Sequence, residues 1–318
     1  MNNDEIKNYN NPIIGELFID PTCDVGFKKL MSDEEILIDF LNTFLPKGTP
    51  EIVSATLLPE ERLADGINSR KVFFDVRAKD NFGKIYIIEI QRKTQEFFVN
   101  RSIYYNSREI SSQGEAGELQ TYDFCPVYSI SVLNFVPNEK WANKYYNFFT
   151  YREEESNEKL TDVTAQIFIL LPLMKLSPEE LKDKRSQWCY LLRNAVRLNK
   201  EAVSKLKWTQ KEIFEKMKTI LYVSKLSKEE REMIDRIKQI EWDNRAMFHE
   251  ARIQGEKKGF EQGLEKGLTQ GLEQGLERGL VSSAMNMLAK GFDIKTISEC
   301  VNLPESKIQD LKASIEKQ

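Results

Sequence analysis

The amino-acid sequence predicts a mixed α/β core followed by an all-helical extension, and three observations carry that expectation. Short apolar runs bounded by turn residues, KVFFDVRA (71–78), KIYIIEIQ (84–91) and CPVYSISVLNFV (125–136), read as strands. Segments with helical spacing lie before and between them, at 24–46 and 94–113. From about Ser177 the chain becomes rich in Lys, Glu and Leu and reads as helix to its end. The order α-β-β-α-β-(β), then helices, belongs to the α/β or α+β classes.

Residues 1–20 read as a polar tail. In DVGFKKLMSDEEILIDFLNTFLP (24–46), Phe27, Leu30, Ile36, Leu37, Phe40, Leu41 and Phe44 can share faces of a helix that Pro46 and Gly48 stop. The next stretch, TLLPEERLADGINSR, is polar and turn-rich. KDNFG (79–83) joins the two following strands as a hairpin, and IFILLPL (167–173) reads as a last strand broken by Pro172. The expected organisation is a tail (1–20), a core domain (21–176), a helical region (177–254), a glycine-repeat helix (255–281) and a small helical module (282–318).

Charged residues make up 30% of the 318, with a net charge of −4, which suits a soluble chain and argues against indiscriminate nucleic-acid binding. Four scattered cysteines and the single His249 argue against a zinc site or a disulfide framework, so a reducing cytoplasm fits. MNNDEIKNYN has no apolar signal core, and no apolar run approaches the roughly 20 residues of a membrane span.

The stretch IYIIEIQRK (85–93) poses the chemical question. An apolar strand that carries Glu89 and Gln91 either leaves the core there or has a cation beside it, because a buried, unpaired carboxylate costs several kcal/mol. Strand alternation puts Glu89 and Gln91 on one face with Ile85 and Ile87, and Phe73, Asp75 and Arg77 on one face of the preceding strand. Folding the hairpin can bring Asp75 close to Glu89. Two such carboxylates repel unless one is protonated or a cation lies between them, and hard oxygen ligands suit Mg²⁺ or Mn²⁺. Solvated acids near a hairpin end are the competing reading. Against it, both acids interrupt apolar strands, Gln91 keeps register with Glu89, and the hairpin leads into a helix of arginines and tyrosines.

The pattern D-V-x12-E-x-Q formed by Asp75, Glu89 and Gln91 resembles the PD-(D/E)XK nuclease signature. More narrowly, it resembles the Rpn family of recombination-promoting nucleases and transposase-like proteins. DVGFKKLM (24–31) is similar to that family's D-x-x-F-K-x-L-F opening, and FFVNRSIYYNSREI (97–110) to its R-x-x-Y-Y-x-S-R helix, so the resemblance covers roughly residues 20–175. It implies a restriction-endonuclease-like core, with a mixed central sheet flanked by helices, and a metal-dependent DNA endonuclease using Mg²⁺, or Mn²⁺. Asp75, Glu89 and the Ile90 carbonyl would hold the metal, and Gln91 would orient the attacking water. Asp24 would reach the metal through water, or instead satisfy N–H groups at a helix start. Where the wider superfamily has a lysine this chain has Gln91; Lys93, on the same face if the strand continues, would supply the missing charge. Arg101, Arg108 and Tyr104 are candidate DNA contacts on a helical face shared with Phe97 and Tyr105. Core packing is the competing role for the aromatics, and pairing with Glu109 or Glu115 for the arginines.

GEKKGFEQGLEKGLTQGLEQGLERGL (255–280) repeats glycine every four residues, from Gly255 to Gly279. Each glycine costs a helix about 1 kcal/mol relative to alanine, so the segment is either a helix stabilised by packing, most simply against a second copy, or a spacer. SAMNMLAKGFDIKTISECVNLPESKIQDLK (283–312) reads as helix, turn at Gly291, short helix, turn at Asn302–Pro304, helix. Its mixed charges favour a packing or dimer module over a DNA reader. Trp188, Trp208 and Trp242 read as helix-packing residues, and His249 has no assigned role. The function expected is a dimeric, cytoplasmic, metal-dependent DNA endonuclease linked to recombination, mobile elements or phage defence. The alternative is a catalytically inactive nuclease fold that binds DNA or protein and dimerises through its helical tail.

Overall fold

The computed structural model describes residues 12–59, 61–62, 72–114 and 122–315. The chain divides into two compact units, Met1–Lys238 and Gln239–Gln318.

The first unit opens with two helices, α1 (Asp24–Met31) and α2 (Glu34–Phe44), where the sequence predicted one. The break falls at Asp33, whose carboxylate accepts the Ile36 N–H at 3.2 Å and so caps a new helix. Six strands then build one mixed sheet in the order β1 (Ala55–Leu58), β4 (Val76–Asp80), β5 (Ile85–Gln91), β6 (Val127–Leu133), β8 (Thr164–Leu170), β7 (Tyr146–Thr150). Two short strands, β2 (Glu61–Arg62) and β3 (Val72–Phe73), pair separately. β5, β6 and β8 are mutually parallel, while β4 and β7 run antiparallel to their neighbours. Helix α3 (Phe98–Ser111) supplies the crossover from β5 to β6 that a parallel pair requires. β5 and β6 are almost wholly apolar and buried because both of their faces are covered.

Tyr86, Ile88 and Ile90 of β5, with Ile130 and Val132 of β6 and Ile167 and Ile169 of β8, enter the main core. There they meet α1, α2 and the later helices α4 (Lys184–Asn194), α5 (Lys200–Lys205) and α6 (Glu212–Leu221). Trp188 is fully buried among Phe40, Phe44 and Phe214, its indole N–H donating to Asp39 at 2.8 Å, and Trp208 packs on Phe214. The opposite sheet face is thinner. It holds one apolar cluster around Phe74, Ile85, Ile87 and Val127 and another around Phe98, Leu133, Phe135, Phe168 and Leu170. Between these clusters lie buried polar side chains, among them Glu89, Ser129, Ser131, Ser102 and Asn106.

Three strand expectations are corrected. The run 71–78 is not one strand but is interrupted at Phe74–Asp75. The run 167–173 starts earlier, at Thr164, and ends at Leu170, where Pro172 sits in a short 3₁₀ turn. The edge strands β1 and β7 have no predicted counterpart, because they are short and half exposed and so lack a continuous apolar pattern.

Helix α7 (Lys228–Ala289) contains all seven ladder glycines, and α8 (Ile294–Val301) and α9 (Glu305–Ile315) follow it. Gly291 and Asn302 take positive φ values of 80° and 52° at the two expected turns. Ala284, Ile297, Val301 and Ile308 make a small core. Trp242 is corrected: it is 72% exposed and packs no helix among the described residues. No helix among the described residues is long and apolar enough to cross a membrane.

Candidate active site

The site begins at the interruption between β3 and β4. With Val76 opposite Ile88, the antiparallel register sets Asp75 facing Glu89. Because the strand breaks at Asp75, its side chain turns onto β5, and Asp75 Oδ2 accepts the Ile90 N–H at 2.7 Å. A carboxylate thus replaces a ladder carbonyl, which fixes Asp75 against the segment Glu89-Ile90-Gln91. The Asp75 N–H lies 3.4 Å from Glu89 Oε1.

Glu89 is 3% exposed. Its remaining polar neighbours are Gln91 Nε2 at 3.5 Å and the Arg101 guanidinium at 3.6 Å, both on Oε2. All three distances exceed those of a charge-assisted hydrogen bond, roughly 2.7–2.9 Å, so a buried carboxylate is left poorly coordinated. A ring of side chains surrounds it. Gln95 Nε2 donates to Gln91 Oε1 at 2.8 Å, and Arg101 donates to Gln95 Oε1. Arg101 is held over the Phe98 ring, 5.0 Å from its centroid, and reaches the site from α3.

Burial pushes both carboxyls above the usual range. For Asp75 the nearby Asp24 adds to the rise, while the Ile90 N–H, Lys28 and Arg101 oppose it. For Glu89 the adjacent Asp75 charge adds to it and Arg101 opposes it. The pair is therefore under-compensated, and what it offers is carboxylate oxygen. That chemistry fits a hard divalent cation, which keeps water or phosphate in its other positions. Among the described residues no cluster of three Asp, Glu, His or Cys side chains forms a cage.

A raised carboxyl pKa means that the native state binds the proton more tightly than the unfolded chain does. Stability conferred by the protonated form is then lost as pH rises from near 4 through the raised native values. The metal-free protein is expected to melt at a lower temperature at pH 8 than at pH 5. Millimolar Mg²⁺ should restore much of the difference at pH 8, and Glu89→Gln should flatten the slope. Thermal unfolding in EDTA and in Mg²⁺ across that range checks this, and a parallel slope in the variant would refute it.

The other expected residues are distributed unevenly. Asp24 is the first residue of α1, not its cap; the Cys23 thiol takes that position, accepting the Gly26 N–H at 3.4 Å. The Asp24 carboxylate lies 3.5 Å from Lys28 and acts on Asp75 through its charge. Lys93 does not share the face of Glu89, because β5 ends at Gln91 and Lys93 stands exposed in a bend. Tyr104 is exposed and packs on Tyr105, and Arg108 is half-buried in the last turn of α3. Phe97 is exposed at the start of that helix, so it is not core. Arg77 pairs with Glu109, a fully buried residue of α3.

Several site-building residues had no sequence signal of their own. Asp20, buried, accepts from the Thr22 N–H and hydroxyl at 2.8 and 2.7 Å, and its other oxygen lies 3.5 Å from Arg92. Asn134 donates to Thr22 at 3.1 Å through its side chain and to the Gln91 carbonyl at 2.9 Å through its backbone. This network ties the start of α1 to the ends of β5 and β6. Gly26 completes the fit, since a Cβ there would stand 2.3 Å from the Asp20 carbonyl oxygen. Gln95 completes the ring around Glu89, and its spacing of four from Gln91 across a chain bend carried no periodic clue.

No curated protein and no solved structure matches the chain significantly. The description PD-(D/E)XK nuclease family transposase matches residues 21–251, most of the chain and the whole of the acidic site. With the mixed sheet, the flanking helices and the carboxylates on adjoining strands, that match assigns the chain to the PD-(D/E)XK nuclease family transposases.

Proposed function

We propose that this chain is an Rpn-type, metal-dependent DNA endonuclease that hydrolyses phosphodiester bonds through Asp75, Glu89 and Gln91. The observation that carries this reading is the buried, poorly coordinated Glu89 held beside Asp75. Two apposed, desolvated carboxylates are costly to ionise at neutral pH unless a cation joins them, and a bound cation gives the arrangement a use.

Asp75, Glu89 and the Ile90 carbonyl would hold Mg²⁺, with Mn²⁺ as the alternative ion. When bound, such an ion polarises a phosphate and lowers the pKa of a coordinated water. The chain's own contributions are positional. Asp75 is fixed by the Ile90 N–H, and Gln91, itself held by Gln95, presents an amide beside Glu89 that can orient a water but supplies no charge. A positive charge beside the pair is Arg101, whose guanidinium neighbours Glu89 and can meet a phosphate oxygen. It takes the role expected of Lys93. Asp24, exposed and close enough for its charge to act on Asp75, would hold a water in the second layer. Tyr104 and Arg108 extend the candidate DNA face along α3.

The test is incubation of supercoiled plasmid with the full chain in Mg²⁺, in Mn²⁺ and in EDTA. Nicked and linear products in either metal and none in EDTA are expected. Intact plasmid under all three conditions would sink the reading.

A further inference from the structure

Helix α3 has two flanks. Arg101 and Tyr105 point to one, toward β5 and the acidic pair. The other, at Val99, Ile103, Asn106 and Ile110, lines a cavity of about 350 Å³ against β7. Ile103, Trp141, Phe149 and Tyr151 supply apolar and aromatic walls, and Asn106 and Gln166 stand among them; none of the lining residues is charged. Asn106 is 3% exposed, and its amide nitrogen donates to Thr164 Oγ1 and the Ala165 carbonyl, each at 3.1 Å. Its Oδ1 has no partner among the described residues and is itself shielded from solvent. Nothing in the cleavage reading uses this cavity.

We propose that the cavity receives one unpaired nucleobase of the DNA substrate. The inference rests on the reading of the chain as a DNA-cleaving enzyme and narrows its substrate class. A base is the uncharged, planar part of DNA, so it suits a chargeless aromatic pocket, whereas the phosphates suit Arg101 on the other flank. Base faces stack on aromatic rings irrespective of sequence, and Trp141, Phe149 and Tyr151 supply such rings. The volume lies at the lower end of small-ligand sites, roughly 300–1,000 Å³, which admits a base and not a duplex. The two flanks are separated by about one helix diameter, roughly 10 Å, so the captured base belongs to a nucleotide close to the scissile phosphate. Extruding a paired base costs unpairing energy that an unpaired base does not, so the pocket selects DNA with bulged, mismatched or single-stranded positions.

The test uses the full chain in EDTA, where binding is read without cleavage. Three otherwise identical duplexes are compared: fully paired, with one unpaired 2-aminopurine, and with an abasic residue at that position. The unpaired base should bind about tenfold tighter than the paired duplex, with its fluorescence quenched on binding. Tyr151→Ala, at an exposed position, and Phe149→Ala should each reduce that preference to about twofold or less while leaving affinity for the paired duplex unchanged. Equal affinity for all three duplexes, an abasic duplex bound as tightly as the base-containing one, or a preference that survives both variants would each overturn the proposal. Binding without preference overturns the pocket alone, and is the outcome if the cavity takes an apolar protein side chain. Failure to bind any duplex overturns the DNA-cleaving reading together with it.

Discussion

Glu89→Gln is expected to lower plasmid cleavage by about a thousandfold and, in the same preparation, to raise the melting temperature of the metal-free protein at pH 8. The two effects share one cause. Glu89 is buried, with no polar neighbour closer than 3.4 Å among the described residues, and the Asp75 carboxylate beside it raises the cost of its charge. Glutamine keeps the volume and removes the charge, so the fold loses an electrostatic burden of about 1–3 kcal/mol while the site loses a ligand. Arg101 is then left without its partner, but it is a third exposed and water can take over. Asp75→Asn should lose cleavage to a similar degree and remain folded, because its amide oxygen can still accept the Ile90 N–H. Asp75→Ala removes that acceptor as well and should lower stability. If Glu89→Gln cleaves at the wild-type rate, the metal-ligand assignment fails. If it loses cleavage but melts lower in EDTA, Glu89 is a structural residue, and the reading of its burial is wrong.

That contrast shows which parts of the site the sequence could carry. Asp75, Glu89 and Gln91 were legible because strand alternation is a local rule: each polar residue interrupts an apolar run, and the hairpin register follows from a short turn. The break at Asp75 was not legible, since it depends on the side chain displacing a backbone acceptor across the sheet. Lys93 failed for a related reason. Its placement assumed that β5 continues, and a strand's end is set by what its neighbours cover. Gln95, Asn134 and the Asp20–Thr22 turn come from three separate places in the chain and meet only in the fold. The central strands and α3 were readable from apolar patterning. The edge strands β1 and β7 were not, because each has one side free and alternates too briefly to stand out.

Filling the glycine ladder is expected to abolish self-association. All seven glycines lie inside α7, and a Cβ at any of them would meet nothing within 4 Å. Leu264, Leu268, Leu272 and Leu276 are all strongly exposed beside them. Seven helix glycines cost about 1 kcal/mol each, and among the described residues no packing offsets that cost. A second copy of the chain would offset it by geometry. Residues four apart form the inclined ridges of a helix, so the leucines make a ridge and the glycines a groove running alongside. The ridge of one copy would fit the groove of the other, giving the self-complementary surface that a two-fold dimer requires. Packing of such four-residue ridges sets helices crossing at about −50°. Replacing Gly259, Gly267 and Gly275 by leucine would fill the groove while raising helix propensity. If the ladder is an interface, the native chain sediments as a dimer and the variant should gain helicity yet sediment as a monomer. A chain ending before Gly255 should also be monomeric. A spacer predicts the opposite pattern: better helicity with an unchanged sedimentation coefficient, and a truncated chain with the association state of the intact protein. Either of those two results would remove the ladder as an interface.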